Sequence, residues 1–432
     1  MVEPSGNDYR PAAQRFLPAY LFRFFDGDYA RDGARCAEAW GKLSLRSKAL
    51  GEVGELNLKT EIFGEPLTFP LCLSPVALLG LARSGGESMA AKAAAIQGVS
   101  FCMPALSVRP VEEAARGVPR PLWQQLYPLK DRGLMADVME RAAAAGCSTL
   151  ILTVGMPSAG LLRSDASPAG TEVIPFVPLR LSRLAQIALR PRWAWDAALA
   201  VRSRSAGNFA RYLGRNLGAD DGMAYVDRCL DLGAGWADLE WIRDRWERSV
   251  VIKGILDPQD AKDAVAFGAD GVVVSNHGGR HAGGALPSCR ALPIVAEAIQ
   301  GDVKILADTG IRSGLDVLRA LALGADAAMF GRPYVYALAA GGQAGVERLL
   351  SAIKRELRTA MSMSGTRDVR SVSAERLADP EKLMRMAREA AQDEARSEKG
   401  RALREGKRER LAQAKPGAAA NGEGEGPGRE DH

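Results

Sequence analysis

Histidine is nearly missing from this chain of 432 residues: His277, His281 and His432 are all it has. With so few imidazoles, and no Cys/His run at zinc spacing, no metal centre is expected. The six cysteines (Cys36, Cys72, Cys102, Cys147, Cys229 and Cys289) form no CxxC pair, and most lie inside apolar runs. They read as reduced core thiols, not as a disulfide framework. A charge excess of one sign is also lacking. Lys and Arg number 57 against 52 Asp and Glu, a net +5 with the signs interspersed, which gives no basis for nucleic-acid binding. No apolar run approaches the ~20 residues of a membrane span; the longest is Pro70 to Ala82. The N-terminus has no basic start followed by an apolar stretch, so no signal peptide is expected. The expected location is cytoplasmic, in solution or peripherally on the cytoplasmic face of the inner membrane.

What is present is a core and a rhythm. Hydrophobic residues make up 47% of the chain, enough for a large globular enzyme. Short β-rich apolar runs alternate with Ala/Glu/Arg-rich stretches: Pro70–Ser74, Val99–Met103, Leu122–Tyr127, Thr149–Val154, Val250–Lys253, Gly271–Ser275, Lys304–Ala307 and Ala327–Phe330. Helices are predicted between them over Glu87–Ile96, Arg132–Ala145, Pro258–Phe267 and Gly314–Ala322, and several end in a glycine stop. Eight βα units predict an α/β fold, a single (β/α)8 TIM barrel spanning 66–375. An N-terminal helical segment, 1–65, includes a helix over Leu17–Phe25 that ends near Asp26-Gly27. A charged helical or disordered tail occupies 376–432. The competing open doubly wound sheet would need a Gly-rich turn after its first strand, which is absent. Runs four and five are separated by an insertion, about 156–235. Its segment Pro175–Arg204 is basic and apolar, with Trp193 and Trp195 close together. It reads either as a peripheral membrane contact or as a helical excursion packing its tryptophans onto the barrel.

Barrel chemistry sits where strands end. Run three ends at Gln125 and Tyr127, run four at Thr153, run five at Lys253. Run six ends at Ser275-Asn276-His277-Gly278-Gly279-Arg280, run seven at Asp308-Thr309-Gly310-Ile311-Arg312, run eight at Gly331-Arg332. Glycines that let backbone N–H groups approach an anion, beside arginines, make the last two exits a phosphate site. The plainer reading is a local ion pair between Asp308 and Arg312. His277 can take a proton near neutral pH, Arg280 can grip a carboxylate, and Lys253 can stabilise developing negative charge.

These residues carry a resemblance. VVVSNHGGR (272–280), IKGIL (252–256), Asp308–Arg312 with Gly331-Arg332-Pro333, and Gln125-Leu126-Tyr127 resemble the FMN-dependent L-2-hydroxy acid dehydrogenases and oxidases, over roughly Asp8 to Ser373. The branch it resembles most is the bacterial respiratory L-lactate dehydrogenases, through DYRPAAQRFLP, CSTLILTV and DLEWIRDRW. The resemblance implies FMN as cofactor and a small 2-hydroxy acid, L-lactate first among them, as substrate. A quinone or other respiratory acceptor would take the electrons, and a homo-oligomer is implied. It further implies His277 as the base, with Arg280 and Tyr127 on the substrate carboxylate. Lys253, Gln125, Thr153, Ser275 and the backbone of Pro75, Val76 and Ala77 would lie along the flavin ring. Asp308, Gly310, Arg312, Gly331 and Arg332 would lie around the ribityl phosphate.

The chain departs from the family pattern in places. Phe24 stands for a tyrosine, Gly155 for an aspartate that partners the histidine, and Pro104 for a flavin-contacting serine. The loop Gly160-Leu161-Leu162-Arg163 is poorer in arginine, and His281-Ala282-Gly283 replaces Gln-Leu-Asp. Three readings follow: a working lactate-type enzyme, a relative acting on a bulkier 2-hydroxy acid, or an FMN-binding protein with impaired catalysis.

Overall fold

The computed structural model describes residues 9–27, 33–49, 54–155, 181–199, 207–214, 224–226, 228–231, 233–279, 285–380, 385 and 388–389. Three helices open it: α1 (Tyr9–Phe16), α2 (Ala19–Asp26) and α3 (Ala34–Gly41). The aromatic pattern predicts the middle one. Pro18 delays its start past Leu17, because proline fits the beginning of a helix and not its interior. Gly27, at φ 58°, ends it. A hairpin follows, β1 (Thr60–Ile62) antiparallel to β2 (Glu65–Leu67). It straddles position 65, the predicted end of the helical segment.

The barrel then begins. In chain order it contains β3 (Leu71–Leu73), α4 (Leu79–Ala82), α5 (Gly86–Gln97), β4 (Ser100–Met103), α6 (Val111–Ala114), β5 (Trp123–Leu126), α7 (Arg132–Ala144) and β6 (Thr149–Thr153). The insertion carries α8 (Leu181–Ala188), α9 (Pro191–Leu199) and α10 (Gly207–Tyr212), and α11 (Trp236–Arg243) follows it. Next come β7 (Ser249–Ile255), α12 (Pro258–Ala266), β8 (Gly271–Val274), α13 (Ser288–Ile299), β9 (Lys304–Ala307), α14 (Gly314–Ala322), β10 (Ala327–Phe330) and α15 (Arg332–Ser364). Strands β3 to β10 pair in parallel around a closed ring, with β10 returning to β3. The fold is a (β/α)8 barrel, and each of the eight apolar runs is one of its strands. They are legible because a parallel strand buried on both faces reads as a nearly continuous apolar run.

Alternate side chains divide the core. Leu71, Leu73, Val250, Ile252, Val272 and Val274 pack in the layer shared with the helices. Cys72, Cys102, Trp123, Ile151, Val251, Val273, Leu306 and Met329 fill the barrel interior, where Ile62 and Leu67 of the hairpin join them. Phe63, at the hairpin turn, meets Trp123 edge-on at 5.5 Å. A Cβ on Gly271, the first residue of β8, would lie 2.7 Å from the Phe63 ring. Glu65 accepts hydrogen bonds from Trp123 Nε1 at 2.8 Å and Ser100 Oγ at 2.9 Å. The hairpin therefore plugs the N-terminal end of the barrel.

The insertion leans on the elements that wall the opposite end. Gln186 accepts from the Tyr20 N–H at 3.2 Å, Trp193 Nε1 donates to Leu81 O at 3.0 Å, and Asp196 accepts from the Ser84 N–H at 2.8 Å. The two tryptophans divide: Trp193 is buried and Trp195 is 72% exposed, with Leu184 and Leu189 exposed beside it. No helix among the described residues is long and apolar enough to cross a membrane. Nearly all of the charged tail lies outside the described residues.

Candidate active site

The C-terminal ends of the strands surround one cavity. Of the predicted site residues, Pro75, Val76, Ala77, Gln125, Tyr127, Thr153, Lys253, His277, Asp308, Gly310, Arg312, Gly331 and Arg332 all line it. Ser275 does not; it sits fully buried behind the wall. Arg280 lies outside the described residues, as do 160–163 and 281–283. Among the departures, Phe24 and Pro104 line the cavity and Gly155 does not. Ser74, Phe25, Thr309 and Met329 line it without having been singled out by the sequence. Ser74 and Thr309 each adjoin a predicted residue at a strand exit, and that adjacency is the signal that points to them.

One wall is an ion pair. Lys253 Nζ donates to Asp308 Oδ2 at 2.7 Å and to Ser275 Oγ at 3.1 Å. Asp308 also accepts from Ser275 Oγ at 2.8 Å and Ser74 Oγ at 2.9 Å. Burial alone would raise the Asp308 carboxyl, but the adjacent ammonium and these hydrogen bonds outweigh it and hold the group at about 2. Asp308 is thus tied to Lys253 in the wall of the cavity.

His277 stands on the exit of β8, between the β7 and β9 exits that carry Lys253 and Asp308. Strand β7 bulges between Lys253 and Ile255, and Gly254 there takes φ 118°. A Cβ on Gly254 would come within 2.9 Å of His277 Cε1 and Nε2. The imidazole therefore lies against a strand that only glycine leaves open. At the last two exits, Gly310 takes φ 87°, where a Cβ would strike Trp40 Cδ1 at 2.6 Å. Arg332 begins α15 and donates to Gly278 O, while Arg312 Nη1 donates to Ile311 O at 2.8 Å. The lining residues include three basic side chains, Lys253, Arg312 and Arg332, against one carboxylate, Asp308. That balance suits an anion set at the start of a helix.

The wall between these ends offers unmatched polarity. Gln125 Oε1 is occupied by the Ala105 N–H at 2.9 Å, but Gln125 Nε2 and Thr153 Oγ1 are buried with no hydrogen-bond partner among the described residues. Buried polar atoms are normally satisfied, so both fit the heteroatom edge of a planar ring. No cluster of His, Cys, Asp or Glu among the described residues could hold a metal.

Fold and site together define a barrel whose C-terminal mouth is a cationic cavity with unmatched buried polar atoms, suited to a phosphorylated, planar ligand. A family model described as FMN-dependent dehydrogenase matches residues 13–379. The chain is 49% identical over 379 residues to an L-lactate dehydrogenase of Alcaligenes faecalis, covering 87% of this chain and 99% of that one. It is 49% identical over 393 residues to an L-lactate dehydrogenase of Xanthomonas campestris pv. campestris (strain B100), covering 90% and 99%. Among solved structures, (S)-mandelate dehydrogenase, described as a monotopic membrane protein, superposes with a TM-score of 0.76 at 28% identity, covering 86% of this chain and 98% of that chain. A mandelate oxidase superposes with a TM-score of 0.67 at 33% identity, covering the same shares. The chain belongs to the FMN-dependent dehydrogenase family, and FMN is its cofactor.

Proposed function

We propose that the protein oxidises an L-2-hydroxy acid, L-lactate first among them, to the 2-oxo acid and passes the electrons to a quinone or another respiratory acceptor. The observation that carries this reading is the placement of His277 on the same cavity as the Lys253–Asp308 pair and the two arginines. FMN, when bound, would accept the two electrons and one of the two hydrogens that leave the substrate. An imidazole nitrogen of His277 would take the other hydrogen as a proton. Tyr127, and Arg280 as the sequence motif suggests, hold the substrate carboxylate and orient it. Lys253 presents a buried ammonium that offsets negative charge arising on the cofactor ring. Gln125 Nε2 and Thr153 Oγ1 orient that ring, and Arg312 and Arg332 take the phosphate. The names of the Alcaligenes and Xanthomonas relatives support lactate. A second reading, a bulkier hydroxy acid, draws on the apolar lining of Phe24, Phe25, Pro104, Met329 and Val335 and on the mandelate enzymes among the structural neighbours.

Exposed Leu184, Leu189 and Trp195, with exposed Arg192 among them, support a peripheral membrane contact through α8 and α9. A relative described as a monotopic membrane protein fits this.

The test is anaerobic: L-lactate, D-lactate and L-mandelate are each added to the FMN-loaded protein and the flavin absorbance is followed. L-Lactate is expected to bleach it fastest. Faster bleaching by L-mandelate moves the substrate to the second reading, and no bleaching by any L-acid overturns the proposal.

A further inference from the structure

Two neighbouring strand exits, those of β8 and β9, are built from left-handed backbone. After β8, His277, Gly278 and Gly279 have φ of 55°, 77° and 81°; after β9, Thr309 and Gly310 have φ of 76° and 87°. Glycine adopts this region freely, whereas a β-branched residue is strained there. Thr309 is therefore the most strained of the five, and such strain persists only where the surroundings over-determine it.

Those surroundings can be named. The Thr309 carbonyl accepts from Trp40 Nε1 at 2.8 Å and from Ser288 Oγ at 3.0 Å. Helices α3 and α13 thus fix that peptide from outside the barrel. With the peptide fixed, the hydroxyl turns toward the β8 exit. It accepts the Gly278 N–H at 3.1 Å and lies 3.2 Å from Ser275 Oγ. Ser275 Oγ in turn accepts the His277 N–H at 3.1 Å. Ser275 Oγ also accepts from Lys253 Nζ at 3.1 Å and donates to Asp308 at 2.8 Å, so the two hydroxyls, either of which can donate to the other, form one cluster with that ion pair. The amides of His277 and of the residue after it both end on this hydroxyl pair, and the pair is anchored to the Lys253–Asp308 bridge.

We infer that Thr309 is a positioning residue for His277: its hydroxyl clamps the left-handed turn that aims the imidazole into the cavity. The inference rests on the reading of His277 as the base and deepens it. Glycine at 309 would relieve the strain and lose the clamp; serine would keep the clamp with less strain.

The experiment compares FMN-loaded Thr309→Ser, Thr309→Gly and Thr309→Val with the parent, and uses His277→Gln as a control. Three quantities are read: thermal midpoint, the pH profile of anaerobic flavin reduction by L-lactate, and the titration of 15N-labelled histidine by NMR, which three histidines make tractable. Thr309→Gly is expected to keep or raise the thermal midpoint, yet to reduce flavin at least about tenfold more slowly. Its pH profile and its His277 titration should both shift. Thr309→Ser should retain most of the parent rate and both titrations. Thr309→Gly behaving like the parent in rate and titration overturns the inference, and so does Thr309→Ser falling as far as Thr309→Gly. Should the glycine variant not fold, Thr309→Val against Thr309→Ser decides by the same criteria. His277→Gln reducing flavin at the parent rate would remove the base assignment alone, leaving the NMR comparison as the test of the clamp.

Discussion

At the scale of single residues, the site turns on how one carboxylate is neutralised. Asp308 reads in the sequence as part of a phosphate site or as a local partner of Arg312, since both lie in one short stretch. The structure pairs it with Lys253, 55 positions earlier, a contact that exists only once the barrel closes. Removing one member of a buried pair leaves the other charge uncompensated, so Asp308→Asn is expected to cost about 3–5 kcal/mol. Denaturant titration at neutral pH checks this. Because the folded carboxyl is held at about 2, below the unfolded value of about 3.9, its contribution is fully present above that unfolded value. It is lost as pH falls toward 2. The parent should therefore lose stability over that window faster than Asp308→Asn does. His277 and Lys253 were legible because motif and strand exit coincide. Thr309 was not, because its part comes from a backbone angle and from helices distant in sequence.

At the scale of elements, the eight strands could be read from hydrophobicity, while α1, α3 and the β1–β2 hairpin could not. None of these carries a continuous apolar run or an aromatic face (YRPAAQRF, ARCAEAWG, TEI and EPL), and what fixes them is tertiary packing. The same limit hides how the insertion returns to the barrel. Asp131 caps α7 through the Leu134 N–H at 2.9 Å and accepts from Tyr225 Oη at 2.6 Å and Tyr212 Oη at 3.3 Å. Beside it, the Lys130 N–H meets Cys229 O at 2.7 Å and the Asp231 N–H meets Pro128 O at 2.9 Å. The insertion is thus latched to the loop directly after Tyr127. Tyr225→Phe is expected to lower stability by about 1 kcal/mol and to raise KM for the hydroxy acid more than it lowers kcat. Steady-state kinetics beside thermal denaturation would show this; an unchanged KM would uncouple the latch from Tyr127.

At the scale of the molecule, the exposed edge of α8 and α9 and the plugged base set how the protein meets its surroundings. Trp195→Ser is expected to weaken sedimentation with anionic lipid vesicles while leaving thermal stability nearly unchanged, because the side chain is 72% exposed. Equal sedimentation of parent and variant would take that edge out of any membrane contact. The base has a different consequence. With Phe63 and Trp123 stoppering the lower end, nothing enters the cavity from that side. If the proposed acid and electron acceptor share the opposite mouth, the two are expected to visit in alternation, and an excess of either should compete with the other in steady-state kinetics.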